Sequence, residues 1–154
     1  MGKYDFDPTK TSAAGIPVLE KDSYLFEIGE PKSFARTNQK GEPSYGVMFP
    51  LKVVEGPSAG KKVFFNTYMQ SDGGRAAMKR FVMTALGYNP RDKEKDFDAA
   101  YGGADWSIDP DNNKAVGALY HELTGKMIIG ELDVKVGMDD KPQQDWKNWL
   151  VYGQ

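Results

Sequence analysis

The sequence predicts an all-β domain with one or two helices, in which five strands form a small barrel. Residues 44–55 and 61–68 alternate apolar with other side chains on either side of a Gly-Pro-Ser-Ala-Gly turn, as the strands of a hairpin do. Apolar residues recur at helical spacing only between the third and fourth predicted strands. Helices do not alternate regularly with strands, which argues against a doubly wound parallel sheet.

The first predicted strand starts near Ser23 and alternates as far as Ile28. The Gly-Glu-Pro sequence at residues 29–31 interrupts the pairing and predicts a bulge or a sharp bend. The strand resumes over residues 32–36, and one face of this part carries a ring between two cations: Lys32, Phe34 and Arg36.

The second and third predicted strands are the two halves of the hairpin. Pro50 lies within the second strand and lacks the N–H that a sheet uses, so we expect a local break there. In the third strand, the adjacent Phe64 and Phe65 must point to opposite faces. We place Val63 and Phe65 inward, which leaves an outward row of basic, aromatic and amide side chains: Lys62, Phe64, Asn66 and Tyr68. A one-residue bulge would reverse this assignment.

The second half of the chain mixes helical and strand patterns. Gly73 and Gly74 open a predicted helix in which apolar residues recur at helical spacing from Ala76 to Leu86, and Gly87 ends it. Residues 89–113 are charged and rich in turn formers, so we expect a long loop with one short helical turn at most. A second short helix is predicted over residues 115–123, the fourth strand over 126–137 and the fifth over 145–152.

Five strands in this order, with a helix between the third and the fourth, are typical of the OB-fold, a Greek-key barrel. Residues 1–22 show no periodicity and are predicted to form a flexible N-terminal arm. The OB-fold domain then comprises residues 23–154 and carries residues 89–113 as an acidic loop insertion.

Charge is unevenly distributed along the chain, although the net charge is only −2. Residues 91–113 carry seven acidic and three basic residues, whereas residues 23–69 carry six basic and four acidic ones. The first half of the barrel is therefore mildly basic, and such a region can steer a polyanion toward an acidic protein.

The sequence offers little chemistry for catalysis. It contains no Cys, which excludes disulfides, thiolate metal sites and cysteine nucleophiles. His121 is its only His and lies in an apolar helical segment, where packing or surface exposure is expected rather than a role in a Ser-His-Asp triad. Residues 56–62 lack the spacing of a phosphate loop. We therefore expect no enzyme activity, no cofactor and no metal.

A cytoplasmic location without membrane association is expected. No apolar run approaches the ~20 residues that span a bilayer, and residues 1–8 lack the apolar core of a signal peptide. The lack of Cys also fits a reducing compartment.

Several short runs occur in a characteristic order between residues 23 and 152. They are an aromatic first strand, an inter-strand connection, a helix end, a strand entry and an Asn-containing last strand: Tyr24-Leu25-Phe26-Glu27-Ile28, the run from Val53 to Asn66, Ala85-Leu86-Gly87-Tyr88, the run from Leu123 to Gly130, and Lys147-Asn148-Trp149. In their order and spacing these runs resemble a family of small phage-encoded single-stranded DNA-binding proteins with an OB-fold.

The resemblance implies a sequence-tolerant single-stranded DNA-binding protein that serves phage replication or recombination in the cytoplasm of an infected bacterium. Its partners would be single-stranded DNA, replication or recombination proteins, and further copies of the same chain. Two alternatives stay open: an OB-like module that binds protein, and a protein that binds RNA or a duplex.

OB-folds bind nucleic acid across strands two and three and between the first and last hairpin loops, using cations for phosphates and rings for bases. The residues of these types at these places are the candidate contacts: Lys32, Phe34, Arg36, Lys40, Tyr45, Lys52, Lys62, Phe64, Tyr68, Trp146 and Lys147. We expect Tyr45 to lie opposite Phe34 across the first hairpin. We also expect Trp146 to be available for stacking, and Trp149, which shares the parity of Val151, to belong to the core.

Overall fold

The computed structural model confirms a mainly β fold built around a curled antiparallel sheet. It describes residue 19 and residues 21–37, 39–108, 116–136, 140 and 142–153. Six strands and three helices lie in these ranges: β1 (Asp22–Ile28), β2 (Lys32–Thr37), β3 (Pro43–Val53), β4 (Lys62–Tyr68), α1 (Asp72–Ala85), α2 (Glu94–Tyr101), α3 (Ala118–His121), β5 (Met127–Val136) and β6 (Pro142–Val151). The sheet curls into a half-barrel with an OB-like arrangement of strands and helices.

β1 lies in the middle of the sheet. It pairs with β3 on one side and with β5 on the other, and β5 pairs in turn with β6. β2 pairs with the same edge of β3 as β1 does, while β4 pairs with the other edge of β3. The predicted first strand is therefore two strands, β1 and β2, which are separated by a corner at Gly29.

Pro50 does not break β3, contrary to the expectation from the sequence. β3 runs without interruption, and Pro50 lies opposite Phe64 of β4. In a strand, the N–H and the C=O of one residue point to the same side. The Pro50 carbonyl accepts a 2.8 Å hydrogen bond from the Gly29 N–H. An N–H at Pro50 would therefore have pointed to the corner between β1 and β2, away from β4. Its absence removes no hydrogen bond between β3 and β4.

The inward face of the sheet and α1 form one aromatic core. The ring centroids of Phe49 and Phe65 lie 4.7 and 4.9 Å from that of Phe81 on α1. All three rings are buried, and the burial of each contributes about 1.5–3 kcal/mol. α1 begins where the Ser71 hydroxyl oxygen accepts from the Gly74 N–H at 3.1 Å, which caps its first turn.

α1 also fills the open side of the half-barrel. Among the described strands, no hydrogen-bonded ladder joins β4 to β6. Their edges meet through side chains instead, because the ring of Phe65 lies 5.4 Å from Trp146 and 5.0 Å from Trp149. Phe81 of α1 completes the contact at 4.8 Å from Trp149. We call this side of the half-barrel the seam.

The acidic segment contains a helix of eight residues, α2, where the sequence analysis predicted one short turn at most. Its Phe97 is buried against three neighbouring rings: Tyr88, Tyr101 and Trp106. Lys79 of α1 forms ion pairs with Glu94 at 3.4 Å and with Asp98 at 2.9 Å, and the hydrogen bond to Asp98 raises the pKa of Lys79. The acidic segment is thus held against α1. Residues 109–113 of the predicted loop lie outside the described ranges.

The boundaries of α3 and β6 also differ from the prediction. α3 is shorter than the helix predicted over residues 115–123, of which residue 115 is not described. β6 begins at Pro142 rather than at Asp145. None of the helices in the described ranges has the length and apolar character needed to cross a membrane.

Part of the segment predicted to be an N-terminal arm packs against the half-barrel. Leu19 is buried, and the Gln144 side chain of β6 binds both its N–H (2.8 Å) and its carbonyl (3.1 Å). Asp22 is the first residue of β1. The rest of the predicted arm, residues 1–18 and 20, lies outside the described ranges.

Candidate nucleic-acid interface

The outward side chains of β2, β3 and β4 form one continuous face. The strand register aligns them in rows: Phe34, Gly46 and Tyr68; Lys32, Met48 and Asn66; Pro50 and Phe64; Lys52 and Lys62. Arg36 extends the face at the end of β2. We call these residues together the outer platform.

Exposure confirms the predicted orientation of β4. Val63 and Phe65 point inward and are each only 6% exposed, whereas Phe64 is 53% and Tyr68 38% exposed. The outer platform brings together most of the predicted contacts: Lys32, Phe34, Arg36, Lys52, Lys62, Phe64 and Tyr68.

The rings of the platform are held by one another and by a cation. Phe34 and Tyr68 meet edge to face, with their centroids 5.6 Å apart and their planes at 80°. The guanidinium carbon of Arg36 lies 4.9 Å from the centroid of Phe34, within the range of a cation–π contact. Two rings and a cation therefore form one ordered cluster on the platform.

Gly46 is required between the two rings. A Cβ at this position would collide with the carbonyl oxygen of Thr67 on β4. The two strands approach closely here, and the Thr67 hydroxyl also donates to the Val47 carbonyl at 2.9 Å while its oxygen accepts from the Val47 N–H at 3.2 Å. Glycine alone fits this approach, and it also leaves the space in which Phe34 and Tyr68 meet.

Four exposed cations border these rings: Lys32, Arg36, Lys52 and Lys62. Within the part of the chain that the structure describes, none of the four forms an ion pair with a carboxylate. Glu27 of β1 is in register with Lys52 and points to the same face. The four cations can therefore neutralise phosphates without first breaking an ion pair within the described chain.

Asn66, in the middle of the platform, has a buried polar atom that lowers the stability of the fold. Its Oδ1 atom is buried and has no hydrogen-bond partner among the described residues. A buried acceptor without a partner costs about 1–3 kcal/mol of stability. Groups of this kind are rare in folded proteins and often have a functional reason.

Two predicted contacts lie off the platform. Lys40 is exposed in the turn between β2 and β3. Tyr45 pairs with Ala35, so it belongs to the opposite face of β3. The prediction that Tyr45 lies opposite Phe34 is wrong by one residue of register, because Gly46 occupies that position.

Trp146 and Lys147 lie at the seam. The pairing of β5 with β6 shifts between Glu131 and Leu132, which leaves Lys147 as the extra residue of a β-bulge. The bulge puts Trp146 and Trp149 on the same face, where their rings stack at 5.1 Å with an interplanar angle of 21°. Trp146 is therefore partly buried against the core, as Trp149 is. Base stacking at Trp146 stays a prediction.

Lys147 is exposed but already paired. Its Nζ lies 2.7 Å from the carboxylate of Asp145. This hydrogen bond raises the pKa of Lys147 and lowers the pKa of Asp145. A phosphate would have to compete with Asp145 for this ammonium group.

Met48 and Pro50 are platform residues that the sequence analysis did not select. Both share the outward parity of Lys52, and both are only partly buried. Their apolar atoms extend the stacking surface between Phe34 and Phe64. The alternation of β3 predicts that Met48 and Pro50 face outward with Lys52. They were not selected because a break in the strand was expected at Pro50.

The described residues offer no evident metal centre. Among them, no group of three or more His, Asp or Glu side chains is arranged to hold a metal ion. His121 is exposed at the end of α3.

Searches against protein-family models and against curated proteins find no match to this chain. The likeness to phage single-stranded DNA-binding proteins therefore stays a prediction from the sequence.

Proposed function

We propose that this protein binds single-stranded DNA with little sequence preference and that the outer platform is its contact surface. The observation that carries the proposal is the composition of this face, where exposed rings lie among cations that form no ion pair within the described chain. Single-stranded nucleic acid presents the complementary groups, which are stacked bases and a phosphate backbone.

The rings supply the first part of the binding energy. Phe64 and Tyr68 are four residues apart on β4, which corresponds to about 13 Å along a strand. Phe34 lies next to Tyr68, so the platform has two stacking positions rather than one. Base–aromatic stacking contributes about 1–3 kcal/mol per base and accepts any base, because every base has a π face.

The cations supply the second part of the binding energy. Lys32 and Arg36 flank the stacking position at Phe34, and Lys52 and Lys62 lie beyond Phe64. Each phosphate contact contributes about 0.7 to the slope of log affinity against log salt, so four contacts predict a slope of about −3.

The resemblance of the sequence to phage-encoded proteins supports a role in phage replication or recombination in the cytoplasm of the host. Replication or recombination proteins would then be its protein partners. Single-stranded DNA of any sequence is the substrate that suits such a role, because an intermediate of replication must be covered along its whole length.

A direct binding titration tests the proposal. We expect fluorescence anisotropy to show micromolar or tighter binding of a labelled oligo(dT) of about 20 nucleotides, longer than the ~4–16 that one OB-fold contacts. Affinity should fall with salt and fall further in Phe64→Ala. Tyr152→Ala is the matched control, because Tyr152 is 52% exposed but lies outside the platform.

The absence of micromolar binding at low salt would overturn the proposal. Preferential competition by poly(U) or by duplex DNA would instead assign the platform to RNA or to duplexes. A protein that co-purifies with the chain, combined with no affinity for any nucleic acid, would favour the protein-interaction module.

A further inference from the structure

A second concave surface lies at the seam, between α1 and β6. It is a groove of about 650 Å³, and six of its lining residues matter here: Arg80, Arg91, Trp146, Lys147, Asn148 and Trp149. We call it the seam groove. None of these six residues belongs to the outer platform.

One wall of the seam groove is a rigid aromatic surface. Trp146 and Trp149 stack on each other, and Phe65 and Phe81 support them from the core side. Both indoles are only partly buried. A flat ring can therefore lie against them without a rearrangement of the core.

The rim of the seam groove is mainly basic. Among the described residues, Arg80, Arg91 and Lys147 line it, together with one carboxylate, that of Glu131. Lys147 is paired with Asp145, and the Asn148 amide donates to Glu131 at 3.5 Å. In the described ranges no carboxylate pairs with Arg80 or Arg91, which leaves both guanidinium groups available to an anion.

The seam groove and the outer platform lie on opposite sides of β4. Phe64 points to the platform, while the next residue, Phe65, points to the groove. β4 is an edge strand, since β3 is the strand that pairs with it in the described sheet. A polymer that leaves the platform over this edge reaches the groove directly.

We propose that the seam groove is a second contact for the same single-stranded DNA, an inference that rests on the proposed function. A base stacks on the Trp146 and Trp149 pair, and two neighbouring phosphates bind Arg80 and Arg91, one each. The strand bends around the edge of β4 and connects the two surfaces.

Tryptophan provides a reporter for the groove, because the described platform contains none of the three Trp residues of the chain. Two of them line the groove, and Trp106 packs against Phe97 and Tyr120 in the helical part. The full chain is labelled with 5-fluorotryptophan, and each ¹⁹F signal is assigned by a Trp→Phe variant. We expect oligo(dT) to shift the signals of Trp146 and Trp149 and to leave that of Trp106 unchanged.

Charge variants test the rim independently. Replacing both Arg80 and Arg91 by Gln should lower the salt slope by about 1.4, at about 0.7 for each lost contact. The matched control replaces Lys93 and Lys95 by Gln, which removes the same charge from the segment around α2 and should leave the slope unchanged.

The outcomes separate the two proposals. If oligo(dT) binds by anisotropy while the signals of Trp146 and Trp149 stay fixed, the groove is not a contact and the platform alone binds DNA. An equal loss of slope in the arginine and lysine variants would also overturn the groove contact. If oligo(dT) does not bind at all, the proposed function fails and the groove inference fails with it.

Discussion

Phe34 and Tyr68 lie on strands that do not pair with each other, yet their rings meet at 5.6 Å across Gly46 of β3. The contact depends on a missing side chain in the strand between them. Because it joins β2 to β4, it fixes the stacking surface across the width of three strands.

Gly46→Ala should therefore damage both stability and binding. The added Cβ collides with the Thr67 carbonyl, and overpacking of this kind costs about 1–3 kcal/mol. Chemical denaturation measures the loss. Gly73→Ala is the control, because nothing lies within 4 Å of its Cβ position in α1, so stability should stay the same or rise. Equal stability of the two variants would contradict the role given to Gly46.

Removal of Phe34 and Tyr68 should have non-additive effects on DNA affinity. Each Ala substitution should cost about 1–3 kcal/mol, which is about 5–150-fold. Since the two rings support each other, the loss in the double variant should differ from the sum of the single losses by at least ~0.5 kcal/mol. Phe34→Ala with Phe64→Ala is the control pair, for which no ring contact is found and the losses should add. Strict additivity in both pairs would show that the edge-to-face contact is irrelevant to binding.

Lys62→Gln should stabilise the fold slightly while it weakens binding. Lys62 lies directly opposite Lys52 in the ladder, and like charges in this position repel by about 0.2–1 kcal/mol. We expect a small rise in the free energy of unfolding and a salt slope for oligo(dT) that is lower by about 0.7. Lys95→Gln on α2 makes the same charge change and should leave the slope unchanged. An unchanged slope in Lys62→Gln would remove this residue from the interface.

Asn66→Leu tests whether the buried amide oxygen has a function. Leu has a similar shape and removes the unpartnered acceptor, so stability should rise by about 1–3 kcal/mol. If the amide serves the platform, DNA affinity falls in the same variant. Asn66→Asp keeps an oxygen at this place and should not be stabilised. A less stable Asn66→Leu protein would mean that Asn66 contributes hydrogen bonds to the fold.

Alkaline unfolding should depend on Tyr120. Burial raises the pKa of this tyrosine from 10.0 to about 12, and its hydroxyl donates to the Trp106 carbonyl at 2.7 Å. Between these pH values the folded state keeps a proton that the unfolded state loses, so stability falls as the pH rises. At about 1.4 kcal/mol per pKa unit, the loss amounts to about 2–3 kcal/mol between pH 10 and pH 12. Urea titrations across this range should show a weaker pH dependence in Tyr120→Phe than in the exposed control Tyr152→Phe.

The sequence predicted the parts of the fold that depend on local alternation. The orientation of Phe64 and Phe65 followed from the period of two in a strand, and it located the stacking face. The register of β2 against β3 could not be read in this way. It depends on where the connecting turn closes, and for this reason Tyr45 was misplaced by one residue.

Features that depend on tertiary contacts were missed. The bulge at Lys147 breaks the alternation of β6 and follows from the register of β6 against β5, so the stacking of Trp146 on Trp149 and the seam groove were not predicted. α2 has a weak local signal, and the burial of Phe97 among rings from other segments stabilises it.

The central position of β1 has a consequence for synthesis of the chain. β1 is among the first described strands to leave the ribosome. Asp22 of β1, however, cannot pair with Leu132 of β5 until Leu132 has been synthesised. At ~5–20 residues per second, this interval lasts about 5–20 s. During that time a nascent chain can pair β1 with β3 only, and the other edge of β1 stays open to other chains. Chains interrupted before Met127 should therefore aggregate, even though they carry the complete outer platform.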